Sequence, residues 1–96
     1  MGSASVVIYQ PIASMLGHPQ PGGLSLKVPV GNKPTALRKA LKNLKPSGAA
    51  LIEALEQGKA ANMFVVVING HVNHRRLDSP VHEGDIVSIF PVYVGG

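Results

Sequence analysis

The sequence predicts an α+β fold in which a mixed sheet of about four to five strands carries one main helix on one face. Three observations support this prediction. β-forming segments lie near both ends of the chain, an amphipathic helical segment lies between them, and Asn69-Gly70 is a strong hairpin signal. A chain of 96 residues with 45% hydrophobic content fits a single domain, residues 1–96, built around one modest core.

The first third of the chain predicts a β-hairpin. Residues 5–10 are rich in β-branched and aromatic side chains, and Pro11 lacks the N–H that a strand would need to continue. Residues 12–17 predict an irregular or briefly helical turn. Residues 24–28 then alternate apolar and polar side chains, which is typical of a half-buried strand.

The middle of the chain predicts two helices. Residues 34–45 form the main helix, with an apolar stripe at helical spacing: Leu37, Ala40, Leu41 and Leu44. Pro46 ends this helix. Ser47 is a plausible N-cap for a second, shorter helix that Gly58 terminates. Its apolar residues Leu51, Ile52 and Leu55 are expected to face inward, and we expect the helix to be mainly connective.

The last third predicts three strands. Residues 63–68 form a strongly β-forming run, Asn69-Gly70 turns the chain, and residues 71–73 pair back. Residues 78–83 predict a turn-rich connection, and residues 86–91 form the last strand. We expect the first and last strands to lie side by side, parallel, at the centre of the sheet, with a projecting tail at about residues 92–96.

Composition excludes several classes of function. Without cysteine the chain has no disulfide, thiolate nucleophile or Cys-ligated zinc. No apolar run approaches the roughly 18 residues that span a bilayer, and no secretory signal is evident, so a cytoplasmic protein without a membrane partner is expected. His71 and His74 would point to opposite faces of a strand, so no metal site is predicted. The net charge of +4 most simply reflects solvated lysines, and a nucleic-acid partner is not expected.

The C-terminal third resembles a known family. After Asn69-Gly70 the chain reads Leu-Asp-Ser-Pro-Val-His-Glu-Gly-Asp from residue 77, then Ile-Val-Ser-Ile-Phe-Pro-Val-Tyr-Val-Gly-Gly to residue 96. This order of hairpin, Gly-Asp turn, strand, proline-containing exit and terminal Gly-Gly is similar to the MoaD/ThiS family of ubiquitin-like sulfur-carrier proteins. The resemblance is closest over residues 64–96, and it implies a ubiquitin-like β-grasp fold.

The resemblance also implies a function for the tail. A partner enzyme of the ubiquitin-activating type would use ATP to adenylate the Gly96 carboxylate, which would then become a thiocarboxylate and donate sulfur. Gly95 would be a flexible spacer, because glycine lacks the Cβ that would obstruct a narrow channel. The acceptor would be an enzyme such as the large subunit of molybdopterin synthase. No bound cofactor and no autonomous active site are expected.

Side-chain alternation suggests where such partners would dock. On the last strand Ile86 and Phe90 share a face with the polar Ser88, and on the first strand Tyr9 points the same way, away from the helix. These three residues, with Pro91, Tyr93 and Val94 on the exit, are the candidate partner-binding residues. The alternative is that the side chains pack beneath loops.

Several functions stay open at this point. Within the carrier class the sulfur could serve molybdopterin synthesis, thiamine thiazole synthesis, tRNA thiolation or cysteine synthesis. A ubiquitin-like modifier conjugated to lysines through Gly96 needs the same tail and the same activation. An interaction module with an inert tail, binding RNA through its basic helix, is the third alternative.

Overall fold

A computed structural model describes residues 2–44, 48–58 and 63–92 of the chain. Its strands are β1 (Gly2–Ile8), β2 (Leu24–Val30), β3 (Thr35–Ala36), β4 (Phe64–Ile68), β5 (His71–Asn73), β6 (Pro80–Val81) and β7 (Ile86–Pro91). Its α-helices are α1 (Ile12–Met15), α2 (Leu37–Lys42) and α3 (Gly48–Gln57), and a 3-10 helix covers Arg76–Asp78. None of the helices in these ranges is long and apolar enough to cross a bilayer.

Five of the strands form one mixed sheet in the order β2-β1-β7-β4-β5. The first and last strands pair in parallel at its centre, with Val6 opposite Val87 and Ile8 opposite Ile89. Antiparallel hairpins flank this pair, β1 with β2 on one side and β4 with β5 on the other. The predicted α+β class and the predicted central pair are confirmed.

The core fills the space between this sheet and the helices. Val6, Ile8, Val87 and Ile89 are all completely buried on the inner face of the two central strands. The helices contribute Leu37, Ala40 and Leu41 from α2 and Ile52 and Leu55 from α3. Burial of these Val, Leu and Ile side chains, each contributing roughly 1.5 to 3 kcal/mol, is the main favourable term for such a small fold.

Helix α2 is shorter than the predicted helix over residues 34–45. Thr35 and Ala36 pair instead with Val81 and Pro80, forming a two-stranded sheet. The Leu37 N–H donates to the Ser79 carbonyl at 2.9 Å, so the first helical residue is tied to the same segment. The prediction that residues 78–83 are only a turn-rich connection was therefore incomplete, since part of the segment forms β6.

Helix α3 has ten residues, whereas α2 has six, so the prediction of a short connective second helix was wrong. Ile52 and Leu55 are buried, with Leu51 packed against the same cluster. Gly48 begins the helix directly against α2, because a Cβ there would lie 2.3 Å from the Leu41 carbonyl oxygen. The predicted N-cap Ser47 and helix stop Pro46 lie outside the described residues.

The hairpin of β4 and β5 turns at Asn69-Gly70 as predicted. Both residues have positive φ, 51° and 86°, the combination that a two-residue type I′ turn requires. Asn69 tolerates this region better than most residues, and glycine adopts it without a steric penalty. The turn fixes the register in which Val67 lies opposite Val72.

Candidate functional site

The exit of the chain from the sheet is held on both sides. Strand β7 lies between β1 and β4, and Pro91 pairs with Phe64 at its end. The Val92 N–H donates to the Met63 carbonyl oxygen at 2.8 Å. Hydrogen bonding therefore continues through residue 92, the first residue of the predicted tail at about 92–96. The predicted tail residues Tyr93, Val94, Gly95 and Gly96 lie outside the described residues.

Two predicted docking residues lie together near this exit. The rings of Tyr9 and Phe90 are stacked, with centroids 4.5 Å apart and planes 6° from parallel. The Tyr9 N–H donates to the Ile89 carbonyl at 3.0 Å, which extends the central pairing just past the end of β1. Phe90 is 36% exposed and Tyr9 is 37% exposed, so the outer side of this aromatic pair faces solvent.

The other two described candidates lie elsewhere. Ile86 shares the outer face and is 58% exposed, but it lies at the opposite end of β7, four residues from Phe90. At about 3.3 Å per residue, this separation is roughly 13 Å. Pro91 is only partly exposed, and strand alternation places it on the inner face with Val87 and Ile89. The predicted cluster of Tyr9, Ile86 and Phe90 is therefore a pair near the exit and a separate apolar residue.

Valines that sequence reasoning did not include connect these positions. Val65 lies opposite Phe90, and Val67 lies opposite both Ser88 and Val72. Val72 is 55% exposed. The outer apolar face is defined here as Val7, Tyr9, Val65, Val67, Val72, Ile86 and Phe90. Residues 63–68 are apolar at every position, and this uninterrupted run was the available signal that both faces of β4 are apolar.

A polar cluster fixes the beginning of β7, at the end of the sheet away from the exit. The Asp85 carboxylate accepts hydrogen bonds from the Asn69 side-chain amide at 2.9 Å and from the His82 backbone N–H at 2.8 Å. The Asn69 side-chain oxygen in turn accepts from the Ile86 N–H at 2.9 Å. The predicted Asn-Gly and Gly-Asp turns are therefore bonded to each other.

This cluster changes the titration of Asp85. Burial alone would raise the pKa of the carboxyl. The hydrogen bonds from His82 and Asn69 outweigh burial and hold the pKa below its ordinary value. His82 Nδ1 lies 3.5 Å from the carboxylate and adds attraction when the imidazole is protonated. The carboxylate is therefore ionised at neutral pH and accepts hydrogen bonds at the base of β7.

Within residues 2–44, 48–58 and 63–92 no three His, Asp or Glu side chains converge as metal ligands. The distinctive features are an anchored exit and an apolar sheet face beside it, an arrangement suited to protein contacts.

Comparisons with known proteins agree with this architecture. The sequence model described as the ThiS family matches residues 32–96, which is more than half of the chain. No curated protein sequence matches. The crystal structure of small archaeal modifier protein 1 from Haloferax volcanii superposes with a TM-score of 0.65 at 23% identity, covering 99% of this chain and 100% of that one. The solution structure of the Methanosarcina acetivorans protein gives 0.60 at 21% identity, covering 100% and 98%. These likenesses establish the ubiquitin-like β-grasp fold.

Proposed function

Because the chain belongs to the ThiS family, we propose that it is a sulfur carrier whose Gly96 carboxylate is the reacting group. A ubiquitin-activating-like partner joins that carboxylate to the α-phosphate of ATP and releases pyrophosphate. Sulfide-level sulfur from a donor then attacks the acyl carbon, and the C–S bond forms as the bond to AMP breaks, which leaves a thiocarboxylate. The thiocarboxylate gives its sulfur to an acceptor enzyme. The chain itself supplies only the substrate group and the surface that delivers it.

The observation that carries the proposal is the family match, which runs through the last residue of the sequence. The fold supports it physically. Strand β7 is hydrogen-bonded on both edges, and Val92 is bonded to Met63, so the segment leading to the tail has a fixed origin and direction. A fixed origin reduces the entropy that a partner must remove when it threads the last four residues into its active site.

The outer apolar face supplies the proposed docking surface. The stacked Tyr9 and Phe90 rings lie on the sheet face nearest the exit and would enter the partner interface first. Tyr93 and Val94 are proposed to line the entrance of the partner's channel, and Gly95 to pass through it. Exposed aromatic side chains of this kind often contribute most of the binding free energy in protein interfaces.

The test is a reconstitution. The full chain is incubated with ATP, the activating enzyme of the same organism and a sulfur source, and its intact mass is measured. We expect a gain equal to the difference between a sulfur and an oxygen atom. A chain lacking Gly95 and Gly96 is the control and should keep its mass. An unmodified full-length chain, in a reaction that converts a known carrier, would contradict the proposal.

The acceptor is decided by a second step of the same assay. Molybdopterin synthesis is the acceptor pathway put forward here, with a molybdopterin synthase large subunit as the receiving enzyme. The charged carrier is offered in parallel to enzymes of thiazole synthesis, tRNA thiolation and cysteine synthesis. Transfer to one of these, with none to the molybdopterin enzyme, would reassign the pathway and leave the carrier function intact.

A protein modifier is the second candidate function. Two solved structures that superpose over nearly the whole chain are of small archaeal modifier proteins, and conjugation would use the same activated Gly96. Digestion of proteins from the native host separates the two functions. Lysines linked to the C-terminal peptide of this chain would establish conjugation, whereas a thiocarboxylate without such linkages would favour sulfur transfer alone.

A further inference from the structure

A second surface feature lies on the helix side of the sheet, close to the exit. A pocket of about 220 Å³ opens between α2, α3, the start of β4 and the 3-10 helix. Leu55, Phe64 and Leu77 form its apolar wall. Phe64 pairs with Pro91, so the pocket and the exit share the same end of the sheet. The pocket therefore lies near the last described residues of the chain, Pro91 and Val92.

The pocket is lined by more arginines than carboxylates, so not every arginine has an ionic partner. Arg38 forms ion pairs with Glu56, at 3.0 Å, and with Asp78, and so engages both carboxylates of the lining. Among the described residues Arg75 and Arg76 have no such partner. Three guanidinium groups against two carboxylates leave the pocket with a formal charge of +1. This net charge favours the binding of a group with a single negative charge.

Arg76 itself is held in an unusual state. Its φ is 54°, in the left-handed region that a side chain of this size adopts at a cost of roughly 1 kcal/mol or more. Its guanidinium carbon lies 4.0 Å from the centre of the Phe64 ring. Its Nε atom is buried and has no hydrogen-bond partner among the described residues. The Nε edge is closed to solvent, so an incoming group would meet the other guanidinium nitrogens of Arg76, which line the pocket and have no ionic partner among the described residues.

We propose that this pocket binds the carboxylate of an aspartate or glutamate side chain on the ubiquitin-activating-like enzyme that adenylates the tail. The inference rests on the proposed function, because it assumes a partner seated at the exit. A planar carboxylate suits the fork of a guanidinium and can accept two parallel hydrogen bonds. The apolar wall suits the methylene groups of an acidic side chain. Phosphate fits less well, because Glu56 and Asp78 would repel its second charge.

The first experiment tests the pocket alone. The Nε–H resonances of Arg75 and Arg76 are followed by NMR in the full chain at constant ionic strength, while N-acetylglutamate amide is added. We expect saturable shifts with a dissociation constant on the order of millimolar. N-acetylglutamine amide should cause little shift, and inorganic phosphate should bind more weakly. Equal responses to the glutamine compound, tighter binding of phosphate, or no shifts would each overturn the proposal.

The second experiment tests the pocket in the complex. Arg76→Gly removes the guanidinium and also relieves the positive φ, so the fold should be retained. Arg75→Gln removes the neighbouring charge from an exposed position. In an adenylation assay we expect each variant to raise the KM for the carrier about tenfold with kcat unchanged. Lys42→Gln removes one charge from α2 outside the pocket and should change KM less than about twofold.

The two experiments separate failure of the pocket from failure of the function. If the wild-type chain is never adenylated, the sulfur-carrier proposal fails, and the NMR titration still decides whether the pocket binds a carboxylate. If the chain is adenylated but the arginine variants behave like Lys42→Gln, the pocket proposal fails and the carrier function stands. An equal rise in KM for all three variants would indicate general electrostatic attraction and would also overturn the pocket proposal.

Discussion

At the scale of single residues, Asp85 shows what a local pattern can and cannot predict. The Gly-Asp turn and the Asn-Gly turn were both predicted from sequence. Their direct hydrogen bond was not, because Asn69 and Asp85 are sixteen positions apart and meet only when β4 and β7 pair in the observed register. The type of a turn is determined by adjacent residues, whereas the contact between two turns depends on the register of the whole sheet.

The lowered pKa of Asp85 predicts a specific dependence of stability on pH. A carboxyl whose pKa is lower in the folded state stabilises the fold fully above its unfolded pKa, near 3.9 for aspartate, and loses that contribution as pH falls through the folded value. We expect Asp85→Asn to reduce the free energy of unfolding by about 1 kcal/mol at pH 7. The difference from wild type should shrink below about pH 4.

Urea unfolding of both proteins between neutral and acidic pH is the measurement. Glu53→Gln, at an exposed carboxyl on α3, is the control and should follow the wild type at every pH. A deficit in Asp85→Asn that stays constant down to acidic pH would show that the ionised carboxylate is not the source of the stability.

Two adjacent glycines offer a second test at this scale. Gly23 has a φ of 80°, and a Cβ there would lie 2.2 Å from the Ile8 carbonyl oxygen, whereas a Cβ on Gly22 would meet nothing within 4 Å. We expect Gly23→Ala to reduce the free energy of unfolding by about 2 to 4 kcal/mol. Gly22→Ala should be neutral or slightly stabilising, by about 0.5 kcal/mol. Equal effects in urea unfolding would contradict the close approach of this turn to β1.

At the scale of elements, the helices were the least accurately predicted part of the chain. The apolar stripe identified the buried side of α2 correctly, with Leu37, Ala40 and Leu41 all buried. It did not reveal that Thr35 and Ala36 pair with β6, since a two-residue strand has no periodicity of its own. The inward-facing residues of α3 were also predicted correctly, with Ile52 and Leu55 buried and Leu51 packed against them. The role of α3 was underestimated, because the local pattern does not show how closely Gly48 lets this helix approach α2.

Arg38 connects these elements, and its removal should loosen them. The side chain bridges Glu56 on α3 and Asp78 on the 3-10 helix. Hydrogen bonds to Glu56 and then to Asp78 raise the pKa of the guanidinium above its ordinary value, so it stays charged throughout the accessible pH range. The side chain is 38% exposed, and we therefore expect Arg38→Met to cost only about 1 kcal/mol of unfolding free energy.

Salt dependence identifies the origin of that cost. In urea unfolding the deficit of Arg38→Met should shrink at about 1 M salt, where exposed ion pairs are screened within about 3 Å. Lys42→Met, on the same helix without an ion pair among the described residues, is the control and should cost less than about 0.5 kcal/mol at either salt concentration. A deficit that salt does not change would assign Arg38 a packing role instead.

At the scale of the whole molecule, the two faces of the sheet have different roles. The alternation along β7 was predicted correctly, with Val87 and Ile89 buried and Ile86 and Phe90 exposed. The extent of the outer apolar face was not predicted, because an uninterrupted apolar run such as residues 63–68 does not indicate which side chains face the helices. The inner face determines stability, and we propose that the outer face determines partner affinity.

Neighbouring residues of β7 allow these two roles to be separated. Ile89 is fully buried, and Ile89→Ala should reduce the free energy of unfolding by about 2 to 5 kcal/mol. Phe90→Ala loses the stacking against Tyr9 and part of a buried surface, but the residue is 36% exposed, so the substitution should cost only about 1 to 2 kcal/mol. In the adenylation assay Phe90→Ala should raise the KM for the carrier about tenfold, because it removes the aromatic anchor nearest the exit.

Ile86→Ser decides whether position on the outer face matters. Ile86 is more exposed than Phe90 but lies at the far end of β7 from the exit, so we expect its substitution to raise KM less than about threefold. Equal effects of Phe90→Ala and Ile86→Ser would mean that the partner covers the whole sheet. A larger effect of Ile86→Ser would place the contact at the turn cluster, and the partner would then have to reach the tail from the opposite end of the strand.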